Sequence, residues 1–128
     1  MTSARMGIII GLMLGGATPA SATIYMVMPD GTGDFPSIQA AIDTADSLDI
    51  IELADGTFTG PDNHNLDFRG QAITVRSKSG NPSTCIIDCE GRVRRHGQAE
   101  RGFLFQSGEG SLSVVQGLAI KDGVPGGE

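Results

Sequence analysis

The chain has 128 residues, of which 19 are glycine and none is tryptophan, and its formal net charge is −6. This length allows one domain at most, and the acidic balance argues against binding nucleic acid through a general basic surface. Glycine is about twice as frequent as in ordinary globular proteins, so we expect an aliphatic core built from many short elements separated by turns.

The first 22 residues are typical of a secretory leader. Arg5 supplies a positive charge, Met6 to Gly16 is an uncharged apolar run, and Ala20-Ser21-Ala22 is a small-residue cleavage site. The apolar run is shorter than the roughly twenty residues that cross a bilayer. We therefore predict a signal peptide over residues 1–22, a secreted or cell-surface protein, membrane contact only through this leader, and one mature domain over residues 23–128.

A turn and a short helix open the mature domain. Ile24 to Met28 is a β-prone run, and Asp30 to Asp34 (D-G-T-G-D) is a turn by composition. Ser37 is a candidate N-cap, and the residues of one helical stripe follow it at Ile38, Ala41, Ile42 and Ala45. We predict a helix over Ser37–Ala45 that is too short to be stable alone in water, so its apolar stripe must pack on the core.

Short apolar runs make up the rest of the chain. They are Ile50–Leu53, Asn65–Phe68, Ala72–Arg76, Cys85–Cys89, Gly102–Gln106 and Leu112–Lys121. Several alternate with a period of two residues, which is the signature of strands that bury one face. The D-G pairs do not join well-matched long partners, as the turns of a hairpin sandwich would. We therefore predict parallel strands stacked in layers.

Cys85 and Cys89 leave three outcomes open. Export favours a disulfide, but four residues of strand span about 13 Å, whereas bridged Cα atoms lie within about 7 Å. The two can form a local disulfide only if the chain bends sharply between them. Otherwise they are buried thiols, or one pairs outside this chain. The C-x-x-x-C spacing without further ligands argues against zinc.

Two acidic stretches invite a chemical interpretation. Asp30 and Asp34 suggest calcium, but they lack the ligand series and distal glutamate of a calcium loop, and aspartates that bond their own turn explain them as well. Asp62, His64 and Asp67 suggest catalysis, but no nucleophile is near them in the sequence. We assign no catalytic, metal or cofactor-binding residues and expect no cofactor.

Arg92, Arg94 and Arg95 are the candidate binding residues. They fall in a polar loop, Glu90 to Arg101, that interrupts the strands. Clustered guanidinium groups suit an acidic polysaccharide or a cell-surface glycan. The alternative is a solvated loop with no ligand, since Glu90 and Glu100 partly offset the charge.

The sequence V-M-P-D-G-T-G-D-F-P-S-I-Q-A-A-I-D, followed by I-I-E-L-A-D-G-T-F-T-G and Q-A-I-T-V-R-S, resembles the N-terminal part of right-handed parallel β-helix proteins of the pectin lyase-like superfamily. It also resembles the entrance motif of pectin methylesterases. The likeness runs from Met26 to about Gly123. It implies an all-β fold, a right-handed parallel β-helix (a solenoid) with an N-terminal capping α-helix. It also implies inward positions in pairs at Ile51 and Leu53, Ile73 and Val75, Phe103 and Phe105, and Leu118 and Ile120.

The resemblance implies less about activity. The catalytic motifs of pectin methylesterases, such as Q-D-T-L and L-G-R-P-W, have no counterpart here, and their G-x-Y-x-E reads G-T-F-T-G. Two functions are expected on this basis. The first is a non-catalytic secreted or cell-surface β-helix module with a structural or interaction role that includes carbohydrate binding. The second is the N-terminal fragment of a pectate lyase-like or pectin esterase-like enzyme whose site lies beyond residue 128.

Solenoids need a cap at each end. The sequence offers a capping helix at the start and only a glycine-rich stretch after the last strand. We therefore expect a truncated solenoid whose last layer is covered by missing C-terminal rungs or by an end-to-end partner.

Overall fold

Short strands that pair in parallel dominate the computed structural model, which describes residues 21–91 and 99–125. The strands are β1 Ile24–Val27, β2 Ile50–Leu53, β3 Gly56–Phe58, β4 Leu66–Asp67, β5 Thr74–Ser77, β6 Cys85–Asp88, β7 Phe103–Leu104, β8 Val114–Gln116 and β9 Ala119–Lys121. One α-helix, α1, covers Ile38–Thr44, and a 3₁₀ turn covers Pro61–Asn63. No helix in the described ranges has the length and apolarity that a membrane crossing requires.

The strands form three parallel sheets. Sheet A has the order β1-β2-β5-β8, sheet B has the order β3-β6-β9, and sheet C pairs β4 with β7. Every pairing between named strands is parallel. From β2 onward the chain visits sheets A, B and C in turn, and it repeats this order until β9. The prediction of parallel strands in place of an antiparallel sandwich is therefore confirmed.

The core consists of apolar rows that run across the sheets. Ile51 lies beside Val75 in sheet A, and Phe58 lies beside Ile87 in sheet B. All four are fully buried. Burying a large aliphatic side chain contributes about 1.5–3 kcal/mol, and a parallel register repeats this gain at every added strand.

Helix α1 begins as predicted. The Ser37 side chain accepts a hydrogen bond from the Ala40 N–H at 3.1 Å, which satisfies one of the free amides of the first turn. Ile38, Ala41 and Ile42 are fully buried and belong to the same apolar cluster as the sheet rows. The packed stripe explains how a helix of seven residues is stable.

Side chains near α1 cover the first edges of two sheets. The Gln39 amide donates to the Asp67 carbonyl at 3.1 Å and accepts from the Asp67 N–H at 2.9 Å, so it acts as a strand partner for β4. At β1, the Asp34 carboxylate accepts from the Met26 N–H, and the Asp34 N–H donates to the Met26 carbonyl, both at 2.7 Å. These contacts satisfy backbone groups that an uncovered strand edge would leave free.

The strand predictions need two corrections. The run Leu112–Lys121 forms two strands, because Gly117 has a φ of +73° and turns the chain between β8 and β9. A side chain at this position would also press on Ser77 Oγ. Strand β3 was not predicted, since its sequence G-T-F is too short to show alternation.

The inward positions are confirmed for the inner layers only. Ile51, Leu53, Ile73 and Val75 are fully buried. Phe103 and Leu118 are partly buried against the core. Phe105 and Ile120 were expected inside but are 53% and 48% exposed, because β7 and β9 are the last strands of their sheets and nothing described covers them.

Candidate functional site

The three predicted binding residues, Arg92, Arg94 and Arg95, lie outside the described residues, as does nearly all of the predicted leader. The structure does describe how the chain is held on either side of the arginines. Gly91 comes shortly after strand β6, and Glu100 forms an antiparallel bridge with Val124 through two backbone hydrogen bonds of 2.8 Å.

His64 lies between two glutamates that flank the arginine stretch. Its Nδ1 atom lies 3.2 Å from Glu100 Oε2, and its Nε2 atom lies 4.0 Å from Glu90 Oε2. The side chains of His64 and Glu100 are each 5% exposed, whereas that of Glu90 is 40% exposed. We call His64, Asn65, Glu90 and Glu100 the stem cluster.

Hydrogen bonds connect the side chains of the stem cluster to one another and to neighbouring backbone groups. Asn65 donates to Glu100 Oε2 at 2.9 Å and accepts from the Arg101 N–H at 2.7 Å. Glu90 accepts from the Gly60 N–H at 2.8 Å. The Asn65 contacts extend the β4–β7 pairing beyond its two ladder positions, and the Glu90 contact holds the chain after β6 against Gly60. Residues on both sides of the arginine stretch are therefore held in place.

The stem cluster has the chemistry of a structural contact. A histidine beside a carboxylate can shuttle protons, but the side chains of His64 and Glu100 are both almost fully buried. Nor do the glutamates share a histidine nitrogen, since each lies on a different side of the ring. No group of three or more metal-ligating side chains occurs among the described residues.

Asp62, His64 and Asp67, which were considered for catalysis and not assigned to it, make separate contacts. His64 contacts the stem cluster, whereas Asp67 accepts from the Arg69 N–H and from Gln106. Asp62 lies in the 3₁₀ turn. The partner of His64 is Glu100, which comes much later in the chain. No local motif signals such a pair, and only the register of β4 with β7 brings the two together.

The carboxylates of the D-G-T-G-D turn are engaged by the chain itself. Asp30 Oδ1 accepts from Thr32 Oγ1 at 2.6 Å and from the Thr32 N–H at 3.1 Å. The Thr32 hydroxyl is the main cause that lowers the pKa of Asp30. Asp34 is turned towards β1. The two carboxylates therefore serve two different backbone contacts.

Both cysteines are buried thiols. Cys85 and Cys89 are unbridged and fully buried on the inward face of β6 and just beyond it. Of the three outcomes left open by the sequence, the extended strand selects this one. Burial raises the pKa of Cys85 to about 11, with a further contribution from Asp55. Burial is also the main cause that raises the pKa of Cys89, and the charges of Asp88, Glu100 and Asp122 raise it further. Thiols held in this form are poor nucleophiles.

Comparisons with known proteins identify no relative. A scan against protein-family models, a search of curated proteins and a search of solved structures each found no significant match to the chain. The likeness to pectin lyase-like proteins consequently stays a prediction from the sequence motifs.

Proposed function

We propose that the chain is a non-catalytic module of an exported protein, in which the three sheets are the faces of a right-handed parallel β-helix. The observation that carries this proposal is the cyclic order of the strands, which adds one strand to sheets A, B and C in turn. A chain that coils around an apolar axis visits its faces in this order. Helix α1 and the edge-covering side chains Gln39 and Asp34 act as the cap of the first coil.

The role of such a module is structural and adhesive. Several described carboxylates contact backbone groups of other strands or turns, as Asp34 and Glu90 do, and the buried cysteines are unreactive in this form. An exported scaffold of this kind displays loops at fixed positions along its coils. The stretch that carries Arg92, Arg94 and Arg95 concentrates basic side chains in a chain whose net charge is negative.

Acidic polysaccharide is the ligand class that fits this stretch. Guanidinium groups bind carboxylates in a bidentate geometry, and uronic acids present carboxylates at regular spacing. The stem cluster supports the proposal, because it fixes the residues on both sides of the arginines through His64. Binding of this type weakens as salt is added.

Retention on immobilised polygalacturonate tests the proposal. The variant Arg92→Ser/Arg94→Ser/Arg95→Ser should elute at much lower salt than the parent. A matched control is Arg69→Ser/Lys78→Ser/Lys121→Ser, which removes the same charge from exposed positions elsewhere. Equal retention of the parent and the arginine variant would refute glycan binding by the arginines. An equal loss of retention in the arginine variant and the control would show that only the total charge matters.

Export itself has a direct test. The N-terminus of the protein recovered from the medium or cell surface should begin at Thr23, as cleavage after Ala22 predicts. An N-terminus at Met1 would contradict export by this route.

A further inference from the structure

A buried carboxylate contacts the chain just before the first strand. Thr23 directly precedes β1 and Asp49 directly precedes β2, and the two strands pair in parallel and in register. The Thr23 N–H donates to Asp49 Oδ1 at 2.9 Å, and the Thr23 carbonyl accepts from the Ile50 N–H at 2.8 Å. Asp49 is only 3% exposed. The backbone nitrogen of Thr23 is therefore held against a buried carboxylate.

Other contacts also fix the position of Asp49. Its Oδ2 atom accepts from the Asp46 N–H at 2.8 Å, and its own N–H donates to the Asp46 carbonyl at 3.0 Å. Its carbonyl accepts from the N–H of Thr74, the first residue of β5, at 3.1 Å. These contacts do not involve the residues before Thr23. Asp49 should therefore stay directed at the Thr23 nitrogen when those residues are removed.

Thr23 is the residue that the predicted cleavage after Ala22 makes N-terminal. Ser21 and Ala22 are both exposed, so the bond to be cut is accessible. Hydrolysis adds one water across this bond. The water oxygen joins the carbonyl carbon of Ala22, which leaves as a carboxylate, and both water protons end on the Thr23 nitrogen. The product is an ammonium group at neutral pH, because an α-amino group has an ordinary pKa of about 7.7–8.0.

We propose that removal of the leader creates an ion pair between the new α-ammonium group of Thr23 and the buried carboxylate of Asp49. The inference rests on the proposed export, since cleavage at this bond supplies the positive charge. The existing hydrogen bond has one charged partner, and the new one has two at the same 2.9 Å separation. Because Asp49 is buried, salt and water screen this attraction less than that of an exposed pair.

The ion pair makes the attachment of β1 depend on processing. Before cleavage, the Thr23 nitrogen is an uncharged amide, and only neutral donors of the backbone join β1 to the residues before β2. After cleavage, the same nitrogen carries a positive charge against Asp49. Since β1 is the first strand of sheet A, the start of the domain becomes more firmly held in the processed chain than in its precursor.

Two forms of the protein test the inference, one that begins at Thr23 and one that keeps Ser21 and Ala22 before it. The two added residues move the α-ammonium group away by up to about 7 Å. Both forms are released from a cleavable fusion partner, so neither depends on export. In urea unfolding, the form that begins at Thr23 should have an unfolding equilibrium constant about tenfold smaller. Equal constants overturn the inference.

Replacing the carboxylate shows whether Asp49 is the partner. In Asp49→Asn the two forms should unfold with equal constants, because the amide oxygen can accept a hydrogen bond but carries no charge. Asp46→Asn is the matched control, since it removes an exposed carboxylate from the same turn and should keep the difference. A difference that survives Asp49→Asn, or one that both substitutions abolish, overturns the inference.

A reactivity measurement decides the matter if Asp49→Asn does not fold. Acylating reagents attack the uncharged amine, and a neighbouring carboxylate favours the charged form. At about pH 8, the native form that begins at Thr23 should therefore be acylated at its N-terminus more slowly than the extended form, as mass spectrometry of the N-terminal peptide would show. Equal native rates overturn the inference. The N-terminus recovered from cells reports export separately, so failure of export and failure of the ion pair give different results.

Discussion

Replacing Gln39 tests whether a single side chain covers the first edge of sheet C. Its amide bonds both backbone groups of Asp67 and also donates to Asp43 Oδ1 at 3.0 Å. Gln39→Ala removes all three contacts and leaves the partly buried N–H and C=O groups of Asp67 without their partner. Helix α1 should still form, because alanine is the stronger helix former.

The expected cost follows from these contacts. Each of the two bonds to Asp67 contributes about 1 kcal/mol net, and the gain in helix propensity returns a few tenths of that. We expect Gln39→Ala to lower the free energy of unfolding by about 1.5 kcal/mol. For a domain of this size, such a loss lowers Tm by roughly 6–10 °C.

Urea unfolding followed by circular dichroism measures this cost. The control is Gln116→Ala, which truncates an exposed glutamine on β8 and should change the free energy of unfolding by less than about 0.5 kcal/mol. If the two variants unfold at the same urea concentration, the Gln39 amide does not act as a strand partner, and the reasoning about the covered edge is wrong.

Gln39→Glu adds a pH test with a defined sign. The introduced carboxylate can still accept from the Asp67 N–H, but it loses both donors and faces the Asp67 carbonyl and the Asp43 carboxylate. Its folded pKa should therefore lie above its unfolded value of about 4.3. The penalty relative to the parent should be small below that unfolded value and should grow as pH rises through the folded pKa. A penalty that does not change with pH would contradict the assigned contacts.

Burial and local contacts give three further predictions. Ile87→Ala should lower the free energy of unfolding by about 3 kcal/mol, whereas Ile120→Ala in the same row should lower it by about 1 kcal/mol, because Ile120 is already half exposed. Equal losses in urea unfolding would contradict this difference in burial. Cys85 should react with a thiol reagent at pH 8 only after unfolding, since its pKa is about 11, and rapid labelling of the native chain in a mass-spectrometric assay would contradict its burial. Thr32→Val should raise the pKa of Asp30 towards its ordinary value, as an NMR titration would detect, and an unchanged titration would show that the Thr32 hydroxyl does not stabilise the carboxylate.

Features encoded by neighbouring residues could be predicted from the sequence. The N-cap at Ser37 and the apolar stripe of α1 are local signals, and strand β2 coincides with its alternating run Ile50–Leu53. The inward residues of the inner layers were expected from the resemblance, and the alternation of short runs agrees with them, but alternation describes one strand at a time. It could not reveal that Phe105 and Ile120 would be half exposed, because exposure in the last layer of a stack depends on whether another layer covers it, and not on the strand itself.

The candidate site could not be predicted in the same way. His64 and Glu100 meet only because β4 and β7 pair in one particular register. The pair of hydrogen bonds between Gln39 and Asp67 likewise depends on where α1 packs, because Gln39 precedes Asp67 by 28 residues in the chain. Residues so far apart in the sequence share no local pattern. Contacts between their side chains therefore become apparent only in the three-dimensional structure.

The parallel pairing has a consequence for how the chain acquires its structure. Glu52 and Arg76, whose side chains bond between β2 and β5, lie 24 residues apart, and the Ser77 hydroxyl donates to the Gly117 carbonyl 40 residues later. With such separations, each pairing has to close a long loop before any ladder hydrogen bond can form. Chains dominated by distant contacts fold in milliseconds to seconds, more slowly than helical bundles of the same length. The chain therefore spends this interval with unpaired strands.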